Sequence, residues 1–277
     1  MGILAPMKVA VLGYPNVGKS SLVNRFLGAG RVIVSPVAGT TRDAIDVPLR
    51  FEDHDLVLID TAGLRRAAKV GESVEYYTSL RSRRAAERAD VALVVCDATD
   101  GLTTQDLRVA ELAMHSGCAT ALVLNKWDIA ESVDLDHERA RAHQKLRLRP
   151  RVLTASAKTG RHVERLLVEA VALAQRSRDR IPTPQLNRFL SETVAARQPP
   201  AGSGPRHTGH RLKLLFMTQT EVSPPRFSIQ VNSRARVTRD YAYFIENRLR
   251  ERYRMEGIPL IIDFVERGQQ GVRKARG

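Results

Sequence analysis

Gly13-Tyr14-Pro15-Asn16-Val17-Gly18-Lys19-Ser20 fits the pattern G-x-x-x-x-G-K-[ST], and it stands between the apolar run KVAVLG and a helical pattern that begins at Lys19. Glycines at both ends let peptide N–H groups close around phosphate oxygens. The following helix N-terminus adds its dipole, the lysine reaches β- and γ-phosphates, and the serine ligates Mg²⁺. A second apolar run, LVLID, ends in Asp60-Thr61-Ala62-Gly63. There a carboxylate can hold Mg²⁺ through water, and the Gly63 N–H can turn toward a γ-phosphate. Between the two lies Gly39-Thr40-Thr41-Arg42-Asp43, a polar loop in which either threonine hydroxyl would complete the Mg²⁺ shell only while the γ-phosphate is present. That makes the loop a candidate switch.

Two further stretches point to the base. In Asn125-Lys126-Trp127-Asp128 the aspartate can accept hydrogen bonds from guanine N1 and N2, which adenine cannot donate, and the lysine stem can cover the ring. Ser156-Ala157-Lys158 offers a backbone N–H to the guanine oxygen. The five motifs in this order, each at the carboxyl end of an apolar run, predict a guanine-nucleotide site rather than isolated turns.

The elements that must position these residues are legible in outline. KVAVLG, LVLID, VALVVCDA, TALVLNK and RVLTASA are continuous apolar runs. Helical patterns from Lys19, after Gly71, from Thr104 and from Val163 to Gln175 separate them, and this alternation predicts a mostly parallel sheet covered on both faces. Asp46 to Glu52 alternates in polarity and reads as an antiparallel edge strand. RDRIPTP (178–184) breaks the last helix and reads as a linker. Beyond it come a short helix with Leu186, Phe189, Leu190 and Val194 on one face and the loop QPPAGSGPRHTGH. Two strands, RLKLLFMTQT and RFSIQVN, follow, joined by VSPP. A helix capped by Thr238 carries Tyr241, Phe244, Ile245 and Leu249, and PLIIDFVE forms a last strand. The order α-β-β-α-β predicts a small α+β domain with a basic tail after Glu266.

Composition narrows the partners. The chain of 277 residues carries 44 Lys+Arg against 30 Asp+Glu, a net charge of +14. Residues 181–277 hold 17 basic against 8 acidic side chains, so the excess concentrates C-terminally and suggests a polyanionic partner, RNA or DNA. No run approaches the ~18 apolar residues of a membrane span, and MGILAPMKVAVLG lacks the build of a signal peptide. Cys96 and Cys118 have neither metal-ligand nor disulfide spacing and are expected to be buried reduced thiols of a cytosolic protein.

PNVGKSSL, AGTTRD, the basic insert after DTAGLRR that runs through VGESVEYYTSLRSRRAAERADV, NKWD and the α-β-β-α-β tail together resemble the EngA (Der) family of bacterial ribosome-assembly GTPases. More narrowly, they resemble the second GTPase domain of that family plus its C-terminal KH-like domain. The family pattern has two GTPase domains in tandem, whereas this chain has one P-loop. The resemblance implies an α/β P-loop GTPase domain with a mostly parallel sheet over 1–178, a linker over 179–184, and a small α+β KH-like domain with a basic tail over 185–277.

It also implies roles for individual residues. Gly13, Tyr14, Pro15, Asn16, Val17, Gly18, Lys19, Ser20 and Ser21 would cradle phosphate, with Asp60, Thr61, Ala62, Gly63 and Leu64 closing over it. Ser20, Thr41 and Asp60 would serve Mg²⁺. Asn125, Lys126 and Asp128 would read guanine, Ser156, Ala157 and Lys158 would close over the base, and Asn16, Lys19, Thr41 and Gly63 would form the catalytic set. Such proteins also resemble potassium-stimulated GTPases, in which the P-loop asparagine, here Asn16, holds K⁺ where an arginine finger would stand. Leu64 occupies the place of the water-orienting glutamine of Ras-type enzymes and need then only turn away from the nucleophile. Arg42, Arg65 and Arg66 read as solvent-facing surface.

The expectation is a monomeric cytoplasmic enzyme that hydrolyses GTP to GDP and phosphate in biogenesis of the large ribosomal subunit. Its cofactors would be GTP/GDP, Mg²⁺ and K⁺, its partners the large subunit and rRNA, with no membrane contact. The alternatives are a tRNA-modifying GTPase of the MnmE type, an Era-like GTPase, or a GTP-binding interaction module with little turnover. The first would require a cysteine-bearing tail, and the second a GxxG inside the KH-like domain. Gly268-Gln269-Gln270-Gly271 matches that pattern only after the last strand.

Overall fold

A strand that is apolar on both faces must be covered on both faces, and VALVVC and ALVL are such runs. The computed structural model describes residues 5–34, 46–61, 82–200 and 211–266. In it these runs become inner strands of a seven-stranded sheet. In chain order the strands are β1 (Met7–Leu12), β2 (Val32–Val34), β3 (Val47–Phe51), β4 (His54–Ile59), β5 (Val91–Asp97), β6 (Ala119–Asn125) and β7 (Val152–Thr154). Across the sheet the order is β2-β3-β4-β1-β5-β6-β7. β1 pairs in parallel with β4 and β5, and β5-β6-β7 continue in parallel. β3 is antiparallel to β4, as its alternating sequence predicts, but it is not the edge, because β2 pairs beyond it. β2 has only three residues, too short a run to show a period.

α1 (Lys19–Leu27), α2 (Thr104–His115), α3 (Leu135–Lys145) and α4 (Val163–Arg178) accompany this sheet, with a further helical stretch over 82–88. α2 starts in a capping box: Thr103 Oγ1 accepts from the Asp106 N–H at 3.2 Å, and Asp106 Oδ2 accepts from the Thr103 N–H at 2.9 Å. α3 has no counterpart in the sequence expectations, since LDHERARAHQK offers almost no apolar stripe. It is held by its Asp134 N-cap and by buried Glu138, whose Oε2 accepts from the Leu102 N–H at 2.8 Å. Cys96 and Cys118 are buried thiols, and burial pushes Cys118 up to about 12. The helix expected after Gly71 begins outside the described residues.

Contacts divide the chain into two units, one of residues 1–177 with 256–259 and one of residues 178–255 with 260–277. The second unit contains α5 (Thr183–Ala196), β8 (Leu214–Glu221), β9 (Arg226–Val231), α6 (Arg239–Arg252) and β10 (Ile261–Glu266). Its sheet runs β10-β9-β8, with β8 antiparallel and β10 parallel to β9. A parallel return needs a crossover, and α6 supplies it. Phe227, Ile229 and Val231 form the buried face of β9, with Leu186, Phe189 and Leu190 of α5 and Tyr241, Ile245 and Leu249 of α6 buried too. Val194 and Phe244, expected among these, are half-buried, and Thr193 takes the buried position next to Val194. Thr238 caps α6 as expected, accepting from the Tyr241 N–H at 3.3 Å.

The stretch RDRIPTP departs from a plain linker. α4 extends to Arg178, Ile181 is buried, and the Pro184 ring lies in the first turn of α5, where a missing N–H costs nothing. Buried Gln219 on β8 ties the segment down, because its Oε1 accepts from the Ile181 N–H at 2.8 Å and its Nε2 donates to Asp179 O at 3.2 Å. Asn187 on α5 grips the outer edge of β8: Oδ1 accepts from the Met217 N–H and Nδ2 donates to Met217 O, both at 3.0 Å. On α6, Glu246 and Arg250 form a buried ion pair at 3.0 Å, one turn apart. The Arg250 guanidinium also donates to Met255 O at 2.5 Å. Among the described residues no helix is long and apolar enough to cross a membrane.

Candidate nucleotide site

The parallel register sets the site, since Ala10 pairs with Ile59, Leu12 with Val94, Asp97 with Asn125 and Leu124 with Thr154. The carboxyl ends of β4, β1, β5, β6 and β7 therefore open on one edge of the sheet, where ligands of such folds bind.

The chain turns off β1 at Gly13, whose φ is 138°; a Cβ there would lie 2.2 Å from Val95 O on β5. Only glycine permits that approach. Pro15 and Asn16 are exposed at the apex, Asn16 with a φ of 64°, and Val17 is buried beneath them. Gly18 opens α1 with no side-chain cap and no acidic residue in the first turn. The helix thus presents uncapped backbone donors and the positive end of its dipole to the loop. Lys19 Nζ donates to Tyr14 O across the turn, and burial pushes Lys19 down to about 8. A desolvated ammonium over a ring of peptide donors is complementary to a phosphate chain. Ser20 follows in the first helical turn, and Ser21 is exposed.

Asp60 follows directly on β4 with a φ of 57°, a left-handed conformation that non-glycine residues adopt sparingly. Its N–H donates to Asp46 Oδ1 at 3.1 Å, and Arg88 pairs with the other oxygen of Asp46. Thr61 is buried next to it. The oxygen donors Ser20 and Asp60, on neighbouring elements, suit a hard divalent cation such as Mg²⁺. Thr41, Ala62, Gly63 and Leu64 lie outside the described residues, as do Arg42, Arg65, Arg66 and the Gly268–Gly271 stretch.

On the base side Asn125 is buried with both ends of its amide engaged: Nδ2 donates to Val17 O at 2.8 Å and Oδ1 accepts from the Ala157 N–H at 3.0 Å. It joins the phosphate loop to the base loop, and a Cβ on Gly18 would lie 2.2 Å from its Nδ2. Lys126, with a φ of 62°, donates to Asp97 Oδ2 at 2.5 Å. Asp128 presents an inaccessible Oδ1 with no hydrogen-bond partner. A hydrogen bond from the Ser156 hydroxyl, helped by the Lys158 ammonium, holds its carboxyl below the usual range. Ser156 is fully buried; Lys158 is exposed, and among the described residues its N–H has no acceptor. An unpartnered carboxylate oxygen and an unpartnered N–H match the N–H edge and the carbonyl of guanine. Adenine presents the opposite pattern.

Asp97 and Arg25 were not among the expected site residues. Asp97 carried a signal, as the acidic end of an apolar strand; Arg25, which binds backbone carbonyls of Ala157 and Lys158, carried none. Burial opposes the Asp97 charge, but hydrogen bonds from Lys126 and Thr99 outweigh it and lower its pKa. The stabilisation from this carboxylate is complete above the ordinary aspartate range and disappears as pH falls through its lowered folded value. Asp97→Asn is expected to weaken GDP binding about threefold to tenfold, the scale of one ordinary hydrogen bond, since the amide oxygen can still accept from Lys126. Stability curves of the variant and the parent should converge on acidification. Fluorescence titration with a labelled GDP and acid unfolding check both.

The fold and site define a P-loop GTPase domain followed by a KH-like domain. Residues 8–126 match the family described as 50S ribosome-binding GTPase, and residues 180–264 match the KH-domain-like family of EngA bacterial GTPase enzymes, C-terminal. The chain is 44% identical over 266 residues to GTPase Der of Desulforudis audaxviator, covering 95% of this chain and 60% of that protein. It is 44% identical over 277 residues to GTPase Der of Symbiobacterium thermophilum, covering 98% of this chain and 58% of that protein. The chain is thus a homologue of the EngA (Der) GTPases, and it spans about 60% of the length of these relatives. Among solved structures, Era in complex with MgGDPNP and nucleotides 1506–1542 of 16S ribosomal RNA aligns over 95% of this chain and 93% of that one, at 22% identity and a TM-score of 0.46.

Proposed function

We propose that the chain binds GTP and GDP and hydrolyses GTP, working as a switch in biogenesis of the large ribosomal subunit through contact with that subunit and its rRNA. The observation that carries the nucleotide reading is the pairing of the unpartnered Asp128 Oδ1 with the unpartnered Lys158 N–H at the same strand edge as the glycine-bounded loop. The ribosomal reading draws on the family description of residues 8–126 and on the basic excess of residues 181–277. The division into domains at 1–178 and 185–277 belongs to the same proposal.

The residues divide the work. Peptide donors from Gly13 to Ser20 hold the phosphates, Lys19 neutralises the β,γ region, and Asn125 keeps phosphate loop and base loop in fixed relation. Mg²⁺ bound by Ser20 and Asp60, with Thr41, would supply positive charge to the transferring phosphoryl group. K⁺ at Asn16 would add a second charge where an arginine finger acts in other GTPases.

Two measurements test this. Multiple-turnover phosphate release should be at least about tenfold faster in KCl than in NaCl, a modest share of the 10³–10⁵ attributed to an arginine finger. Asn16→Val should abolish the difference, while Leu64→Ala keeps most of the activity. Flat near-zero traces in both salts would instead identify a GTP-binding interaction module. Sedimentation with ribosomal subunits under GDP, GTP and a non-hydrolysable analogue tests the partner; absence from the large-subunit fraction in every state rules it out.

A further inference from the structure

Within the first unit, the base loop engages all but one of the peptide N–H groups from Ser156 to Gly160. That of Ser156 donates to Arg161 O at 3.0 Å, Ala157 to Asn125 Oδ1 at 3.0 Å, Thr159 to Ser156 Oγ at 3.1 Å and Gly160 to Ser156 O at 2.8 Å. The Lys158 N–H has no acceptor among the described residues. The carbonyls on either side of it are held from outside the loop by one side chain. Arg25 Nε donates to Ala157 O at 2.9 Å, and Arg25 Nη2 donates to Lys158 O at 2.6 Å.

The Ala157–Lys158 peptide is trans, so its C=O and N–H point in opposite directions within one plane. Fixing Ala157 O on the guanidinium therefore fixes the direction of the Lys158 N–H, away from Arg25. The second bond, to Lys158 O, stops the next peptide from rotating, and a planar fork holds both carbonyls in a fixed relation where a rotating ammonium does not. Arg25 is otherwise exposed and packs in no core. It sits on α1, the helix whose first turn carries Lys19 and Ser20.

We propose that Arg25 is a positioning residue for guanine specificity: by gripping the carbonyls of Ala157 and Lys158 it aims the Lys158 N–H at O6 of the base. The proposal rests on the guanine-nucleotide reading of the site. Asp128 reads the N1 and N2 donors independently, so Arg25 governs only the part of recognition that depends on the carbonyl.

Calorimetric titration of the full chain with GDP, IDP and ADP separates the possibilities. The unaltered protein preferring GDP to ADP supports the site reading itself; equal affinities would overturn that reading and the role of Arg25 with it. In Arg25→Met, GDP and IDP affinities should both fall about tenfold, the scale of a lost hydrogen bond to a polar partner. ADP affinity should not change. The GDP:IDP ratio should hold, because inosine keeps O6 and lacks only N2, and the melting temperature should stay within about 2 °C. Arg25→Lys, which keeps the charge without the fork, should recover part of the loss. Equal losses for GDP and ADP, or unaltered GDP affinity in Arg25→Met, would overturn the proposal.

Discussion

Asp128→Asn should weaken GDP binding by about a hundredfold or more and create affinity for xanthosine diphosphate, because hydrogen bonds to a charged acceptor are the strong ones. The Oδ1 atom of Asp128 has no partner, and the Ser156 hydroxyl hydrogen bond and the Lys158 ammonium keep the carboxyl ionised, with desolvation only partly opposing them. Such an acceptor is matched to two adjacent N–H donors. An amide at the same place turns one acceptor into a donor, which meets the guanine N2 amine with repulsion but suits the C2 carbonyl of xanthine. The exchange of preference distinguishes readout from damage, since a disordered loop would bind neither base. Titration with labelled GDP and XDP decides it, and GDP affinity within a factor of two of the parent would sink the assignment.

The second large effect is on folding. Glu246→Ala should destabilise the second unit by about 3–5 kcal/mol, because it takes from a buried guanidinium the carboxylate that is paired with it. Arg250 is 1% and Glu246 5% exposed, and the guanidinium donates to the Met255 carbonyl and to the carboxylate of its helix neighbour Glu246. Replacing both residues by leucine should restore most of the loss, since a buried pair owes much of its apparent worth to the penalty of breaking it. Hydrogen exchange of the β9 amides in the parent, Glu246→Ala and the double variant measures this. Loss in the single variant without recovery in the double would show that the pair fixes packing rather than charge.

The placement of the candidate site was legible because the chemistry proposed for it, phosphate and guanine binding, demands rare residue types at strand ends. Gly13, Lys19, Ser20, Asp60, Asn125 and Asp128 all stand where the sequence places them, at the open edge of the sheet. The division of labour among them was not. Beyond the base contact expected of it, the Asn125 amide links Val17 to Ala157, a relation between residues 108 and 32 positions away. Arg25 lies 132 residues from Ala157 and acts on main-chain carbonyls, which leave no trace in side-chain pattern. In the fold, α3 escaped notice because its helix is fixed by a cap and one buried glutamate instead of an apolar stripe, and β2 because three residues show no period. The prolines of RDRIPTP signalled a break correctly, but Pro184 opens a helix as readily as it ends one.

The amide of Asn187 imitates a neighbouring strand, offering the exposed margin of β8 the donor and the acceptor that another chain would offer. That margin also carries Leu215 and Phe216, each 41% exposed, so an open ladder there would be an adhesive seam. One asparagine on a helix thereby occupies both outward main-chain groups of Met217, so at that residue the edge of β8 has no ladder bond left to give.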